Sequence, residues 1–180
     1  VLITGGAGYL GTVLTEEILN RFPYAKVIVY DNLMYKQDGL FSFFKYPKDR
    51  FEFVYGDVRD KNSLLEQLQK LDKNNDYVIP LAAIVGFPAC ARDEKLATAV
   101  NFEHVKYIVQ STKCRIIYPN TNSGYGVSDG EAHCTEETPL APISVYGRTK
   151  CDAEEWVLGA GHTSLRLATV FGTSYRFRKD

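Results

Sequence analysis

Tyr146 and Lys150 stand four residues apart in Ser144-Val145-Tyr146-Gly147-Arg148-Thr149-Lys150, so on a helix their side chains share a face. Such a pair can act as a base. An ammonium about 6 Å from a phenol, at an effective dielectric of about 20, is worth roughly 2.8 kcal/mol, which moves a tyrosine from about 10 toward about 8. A solvated helix face has the same spacing, so the pair needs company. Thr121, in Pro119-Asn120-Thr121-Asn122-Ser123-Gly124-Tyr125-Gly126, follows a strand-like run and offers a hydroxyl that could bridge a substrate oxygen and the phenol. The alternative is a polar turn fixed by Asn122 and Gly124.

Thr4-Gly5-Gly6-Ala7-Gly8-Tyr9-Leu10-Gly11 follows the first apolar run and opens a helical pattern, the context a dinucleotide fingerprint requires. In this reading Gly6 permits the tight turn, Gly8 lets a pyrophosphate approach the backbone, and Gly11 lets helix and strand pack closely. The glycines also read as a three-apart series, Gly5, Gly8 and Gly11, with Tyr9 and Leu10 starting the helix beside the phosphates. Asp31 lies twenty positions beyond Gly11, where a carboxylate can accept hydrogen bonds from the adenosine ribose. A 2′-phosphate about 4 Å from it would meet a repulsion of roughly 4 kcal/mol per charge. Asn32 and Leu33 follow rather than Arg or Lys, so the sequence selects NAD over NADP. Asp57, with Val58 beside it, could hold the adenine amino group or cap the next helix. Leu81, Ala82 and Ala83 are small enough at a strand end to leave room for a cofactor.

The elements that must carry these residues alternate as short β-branched runs and longer helical patterns, the mark of βαβ units. Strands are expected at 1–4, 27–31, 51–55, 77–82, 115–119 and 164–168. Leu10, Val13, Leu14 and Ile18 form one helical stripe, and Leu64, Leu65, Leu68 and Leu71 another. Further helices are expected over 94–109 and 145–158. Right-handed crossovers then give a doubly wound parallel sheet of the Rossmann type, α/β in class, with its ligand edge at the carboxyl ends of the strands. The stretch 32–50 is the least regular. Its aromatics Tyr35, Phe41, Phe43, Phe44 and Tyr46 could cover a ligand, or a short helix could pack them into the core.

The chain has 180 residues, 45% of them hydrophobic, enough for one substantial core and a single domain over 1–180. Its net charge of -1 lacks the positive field that nucleic-acid binding needs. Cys90, Cys114, Cys134 and Cys151 are scattered without metal-ligand spacing and read as free thiols in a reducing, cytoplasmic setting, with no metal site. No apolar run is long enough to cross a membrane and no signal-peptide pattern opens the chain. Val1 falls inside an apolar run and Asp180 follows a strand and turn, so both ends read as cut.

With these residues in hand, the sequence resembles the extended short-chain dehydrogenase/reductase superfamily, in its NAD-dependent epimerase/dehydratase branch. The resemblance rests on Thr4 to Gly11, Asp31-Asn32-Leu33, Gly56 to Asp60, Leu81-Ala82-Ala83, Asn101, Thr121 to Gly126, Pro139 to Lys150 and Leu165-Arg166 to Gly172. It implies a nucleotide-sugar epimerase that oxidises its substrate to a ketone and returns the hydride to the opposite face. Tyr146 would be the base, Lys150 would hold the nicotinamide ribose and lower the Tyr146 pKa, Thr121 would be the hydroxyl partner, and Asn101 would brace the site. The implied partner is a nucleotide-diphosphate sugar, and the implied assembly a homodimer through the helices around 94–109 and 145–158.

Three departures from the family pattern narrow this. Sugar 4,6-dehydratases follow the Thr with an acidic pair, and here Asn122 and Ser123 are poor replacements for it. A His frequent in the family is replaced at Pro80-Leu81, and Thr169 stands where a substrate-contacting Asn is expected. A ketosugar reductase, a 4,6-dehydratase and a non-catalytic NAD-binding module are the alternatives. The substrate lobe would lie mainly beyond the sixth strand. Arg176, Arg178 and Lys179 could touch a sugar-linked diphosphate or form a solvated basic loop.

Overall fold

Six short strands form one sheet in which every neighbouring pair is parallel. The computed structural model describes residues 1–127 and 133–176. The strands are β1 (Leu2–Thr4), β2 (Val27–Asp31), β3 (Phe51–Tyr55), β4 (Tyr77–Pro80), β5 (Arg115–Thr121) and β6 (Thr163–Leu167), in the order β3-β2-β1-β4-β5-β6. The order reverses between β1 and β4, which opens a crevice at their carboxyl ends. β1 and β2 are buried along their whole length, as strands covered on both faces must be.

Side chains alternate across a strand, so each strand feeds two cores. Leu2, Ile28, Tyr30, Val78, Ile116 and Tyr118 face one side, against Leu64 and Leu68 of α2 (Lys61–Leu68), Ile108 of α5 (His104–Ser111), and Ala153 and Val157 of α6 (Val145–Gly159). Ile3, Val27, Val29, Phe51 and Ile79 face the other, against Leu19 of α1 (Tyr9–Arg21) and Leu40 and Phe43 of a 3-10 turn (Gly39–Phe43). That turn is the short helix expected in the irregular stretch. It divides the aromatics: Phe43 is in the core, Tyr46 packs against it, and Phe41 and Phe44 are exposed.

Several local expectations are corrected. The buried stripe of α1 is Gly11, Thr12, Thr15 and Leu19, because small residues let the helix approach the sheet closely; Leu14 and Ile18 flank the contact. An added helix, α3 (Phe87–Arg92), precedes α4 (Glu94–Thr98), and between α4 and α5 lies a π-turn (Ala99–Glu103). β4 stops at Pro80 and β5 extends to Thr121. The cap of α2 is Asp60, whose side chain accepts from the Asn62 and Ser63 amides, so Asp57 is released from that task.

Candidate active site

A cavity of about 970 Å³ runs along the carboxyl ends of the strands, and its wall gathers nearly every residue singled out from the sequence. Gly5, Gly8, Tyr9, Leu10, Gly11, Asp31, Asn32, Asp57, Val58, Leu81, Ala82, Ala83, Thr121, Tyr146 and Lys150 all line it. Asn101 lies behind that wall, 1% exposed. Its side chain accepts from the Ile84 amide at 2.8 Å and donates to the Ile84 carbonyl at 3.0 Å and to Thr149 Oγ1 at 3.3 Å. From the π-turn it thus ties the loop after β4 to the helix of Tyr146 and Lys150, and π-turns recur where a side chain must be re-aimed at a functional site.

The glycine loop differs in one role from its sequence reading. The turn is made at Gly5, with φ +69°, where a Cβ would come within 2.5 Å of the Ala82 backbone. Gly6 instead packs on Val29. Gly11 allows the close approach assigned to it, since a Cβ there would meet the Gly6 backbone at 2.5 Å. At Gly8, the N-cap of α1, no side chain caps the helix, and a Cβ would meet only the Gly5 carbonyl at 3.1 Å and Arg176 Nη1 at 4.0 Å. Uncapped amides beside open space are what an anion requires.

The two acidic residues differ in spare capacity. An ionised carboxylate has about four acceptor positions. Asp31 uses three: it accepts from the Ala7 amide at 3.0 Å, the Leu33 amide at 2.8 Å and Gln37 Nε2 at 3.3 Å. Leu33 adopts φ 51° to deliver its amide, a left-handed geometry that costs a leucine roughly 1 kcal/mol. Burial raises the Asp31 pKa, opposed by the Leu33 and Ala7 amides and by the charge of Arg176. Asp57 accepts from the Arg59 amide, Arg59 Nε and Nη2, and Asn32 Nδ2, at 2.7 to 3.0 Å. The Arg59 guanidinium holds its carboxyl well below the usual carboxylate range. An adenine amino group would have to displace one of these partners.

At the other end, Ser144 caps α6 by accepting from the Gly147 amide at 3.0 Å, which puts Tyr146 in the first turn and Lys150 one turn on. Lys150 is 5% exposed. Its Nζ donates to the Pro119 carbonyl at 2.7 Å and lies 4.0 Å from the centroid of the Tyr118 ring. Burial pushes its pKa down to about 7, against smaller opposing effects of Cys151 and Glu154. Burial thus works against the very charge invoked to acidify Tyr146. Thr121 Oγ1 accepts from the Ser123 amide at 3.2 Å, capping the turn as its polar-turn reading expects, and the residue also lines the cavity.

Sequence reasoning missed Gln37, Ala89, Val100 and Phe171 on the cavity wall. They lie in irregular or helix-edge segments whose periodicity carries no sign of a ligand. Arg178 and Lys179 fall outside the described residues, whereas Arg176 lines the cavity. No helix among the described residues is long and apolar enough to cross a membrane.

The arrangement suits an extended dinucleotide, with open backbone at Gly8, a carboxylate with room at Asp31, and the Tyr146 and Lys150 pair beyond. Comparison with known proteins agrees. The NAD dependent epimerase/dehydratase family model matches residues 1–180. A trifunctional UDP-glucose 4,6-dehydratase/UDP-4-keto-6-deoxy-D-glucose 3,5-epimerase/UDP-4-keto-L-rhamnose-reductase of Arabidopsis thaliana is 27% identical over 97% of the chain and 27% of its own length. A putative UDP-arabinose 4-epimerase of the same plant is 29% identical over 94% of the chain and 41% of its own length. Among solved structures, UDP-glucuronic acid 4-epimerase from Bacillus cereus in complex with NAD superposes with a TM-score of 0.82 and 26% identity, over 95% of this chain and 56% of that one. The chain thus spans about half or less of the length of the relatives it matches.

Proposed function

The chain belongs to the NAD dependent epimerase/dehydratase family, and from that premise we propose that it is the cofactor-binding and catalytic part of a nucleotide-sugar epimerase. The observation that carries this reading is the meeting of Thr121, Tyr146 and Lys150 with Gly8 and Asp31 on one cavity. Bound NAD supplies a hydride acceptor that returns what it takes, so no external reductant is consumed. The Tyr146 phenol, deprotonated, takes the proton of a sugar hydroxyl, and Thr121 Oγ1 shares the hydrogen bonding of that oxygen. Lys150 favours the phenolate electrostatically while its ammonium is charged. The small residues Ala82 and Ala83 on the cavity wall leave room for the cofactor to lie across them.

Both epimerases and dehydratases are among the relatives, so the branch is decided by chemistry. Elimination of water needs an acid and a base after the threonine, and Asn122 and Ser123 supply neither; this supports epimerisation. The whole protein, incubated with UDP-, GDP-, CDP- and dTDP-sugars and followed by NMR, is expected to invert one sugar carbon without net oxidation of added NADH. Stoichiometric NADH consumption would mark a reductase. Tyr146→Phe is expected to abolish conversion while NAD still binds, and full activity in that variant would refute the assignment.

A further inference from the structure

Beyond β6 the chain turns back over the cavity and is fastened to α1. The Tyr9 hydroxyl donates to the Gly172 carbonyl at 2.6 Å, Ser174 Oγ donates to the Tyr9 carbonyl at 2.7 Å and lies 3.1 Å from Thr12 Oγ1, and the Tyr175 hydroxyl donates to the Glu16 carboxylate at 2.7 Å. The Tyr175 ring also stands edge-on to Phe43, with centroids 5.6 Å apart. This strap fixes where Arg176 falls. Its guanidinium lies 4.4 Å from the centroid of the Tyr35 ring, and its Nη1 is 4.0 Å from where a Cβ on Gly8 would stand. It therefore borders the open space at the uncapped start of α1.

Arg176 and Lys150 are the only cationic side chains among the described residues lining the cavity, and Lys150 lies at its other end, against Pro119 and Tyr118. We propose that Arg176 is a cofactor-binding residue: its guanidinium and the amides of the glycine loop hold the diphosphate of the dinucleotide between them, and the strap Gly172–Arg176 keeps it in place. The planar guanidinium fork matches a phosphate oxygen pair. The other claimant is the diphosphate of a sugar nucleotide. Gly8 follows β1 and Thr121 ends β5, two strand intervals away across β4, or about 10 Å. A sugar seated at Thr121 and Tyr146 carries its phosphate directly on the ring, so that phosphate belongs to the Thr121 end and not to the Gly8 end.

The inference rests on the cofactor alone and stands or falls apart from epimerase activity, because its readout is binding. In calorimetric titrations of the whole protein, Arg176→Ala is expected to weaken NAD and ADP-ribose by about ten- to a hundredfold, the size of a hydrogen bond to a charged group. Adenosine, which has no phosphate, is expected to bind the variant as it binds the parent. Arg176→Lys, keeping charge but losing the fork, should recover part of the loss, and rising salt should weaken NAD less in Arg176→Ala than in the parent. Unchanged or tighter NAD binding in Arg176→Ala would overturn the proposal, making Arg176 a bystander or a plug. Equal loss for adenosine would overturn it as a collapse of the adenosine end, and a loss confined to UDP or a UDP-sugar would hand the residue to the substrate.

Discussion

Lys150 and Glu154 sit one turn apart on α6, 5% and 2% exposed, yet their surroundings are opposites. Glu154 is fully met: Ser164 Oγ donates to it at 2.6 Å and Arg166 Nε at 3.0 Å, and Arg166 reaches on to the Tyr125 hydroxyl at 3.3 Å and the Glu136 carbonyl at 2.9 Å. Burial raises the carboxyl, but the hydrogen bonds from Arg166 and Ser164 outweigh it and leave the pKa below its ordinary value. Lys150 has a carbonyl and an aromatic face, and no ion pair among the described residues. The matched charge is scaffold, since it binds α6, β6 and the loop after β5 into one unit. The unmatched charge is poised for work, and perturbed buried groups concentrate where chemistry is done.

The sharpest way to break this contrast is Lys150→Met. Turnover should fall by at least about a hundredfold, while the melting temperature of the cofactor-free protein rises, because a buried unpaired ammonium is replaced by an apolar chain of similar length. Scanning calorimetry beside an activity assay tests both; a lower melting temperature would mean that the lysine is structurally satisfied after all. At Glu154 the sign should reverse. Glu154→Ala strands the Arg166 guanidinium and should cost about 3–5 kcal/mol in urea unfolding, and an unchanged midpoint would make the ion pair ornamental.

Acidity separates the two residues further. The Lys150 pKa is lower folded than unfolded, so the unfolded chain holds the extra proton between about pH 7 and its ordinary value of 10.5. Stability contributed through this group therefore rises with pH across that window, and its penalty is complete below it. The melting-temperature gap between Lys150→Met and the parent should be widest below pH 7 and shrink toward pH 10. The smallest effect concerns the ring beneath the ammonium. Tyr118→Leu removes a cation–π contact worth about 1–2 kcal/mol, and the Lys150 titration followed by NMR should move to still lower pH.

Much of this was legible from residue order. Continuous apolar runs such as Val27–Asp31 can hardly be anything but buried parallel strands, and the glycine loop with Asp31 needs only local chain geometry to be understood. Tyr146 and Lys150 were legible because one helix fixes their spacing. What escaped depends on tertiary placement. Gly5 rather than Gly6 makes the turn, pressed close against Ala82 in the loop after β4. Arg166 reads as an ordinary strand residue until α6 brings Glu154 beneath it, and Arg176 reads as one of a basic group until the strap sets it beside Gly8. The π-turn at Asn101 has no periodic signature, since one extra residue in a helix shifts the apolar stripe without erasing it.

The bonds that fasten the strap to α1 join residues 159 to 165 positions apart. During synthesis the glycine loop is made well before the strap that covers it. The entropy of closing so long a loop is recovered only once β1, β4, β5 and β6 have docked. A nascent chain thus owns its phosphate loop long before the strap is there to close over it.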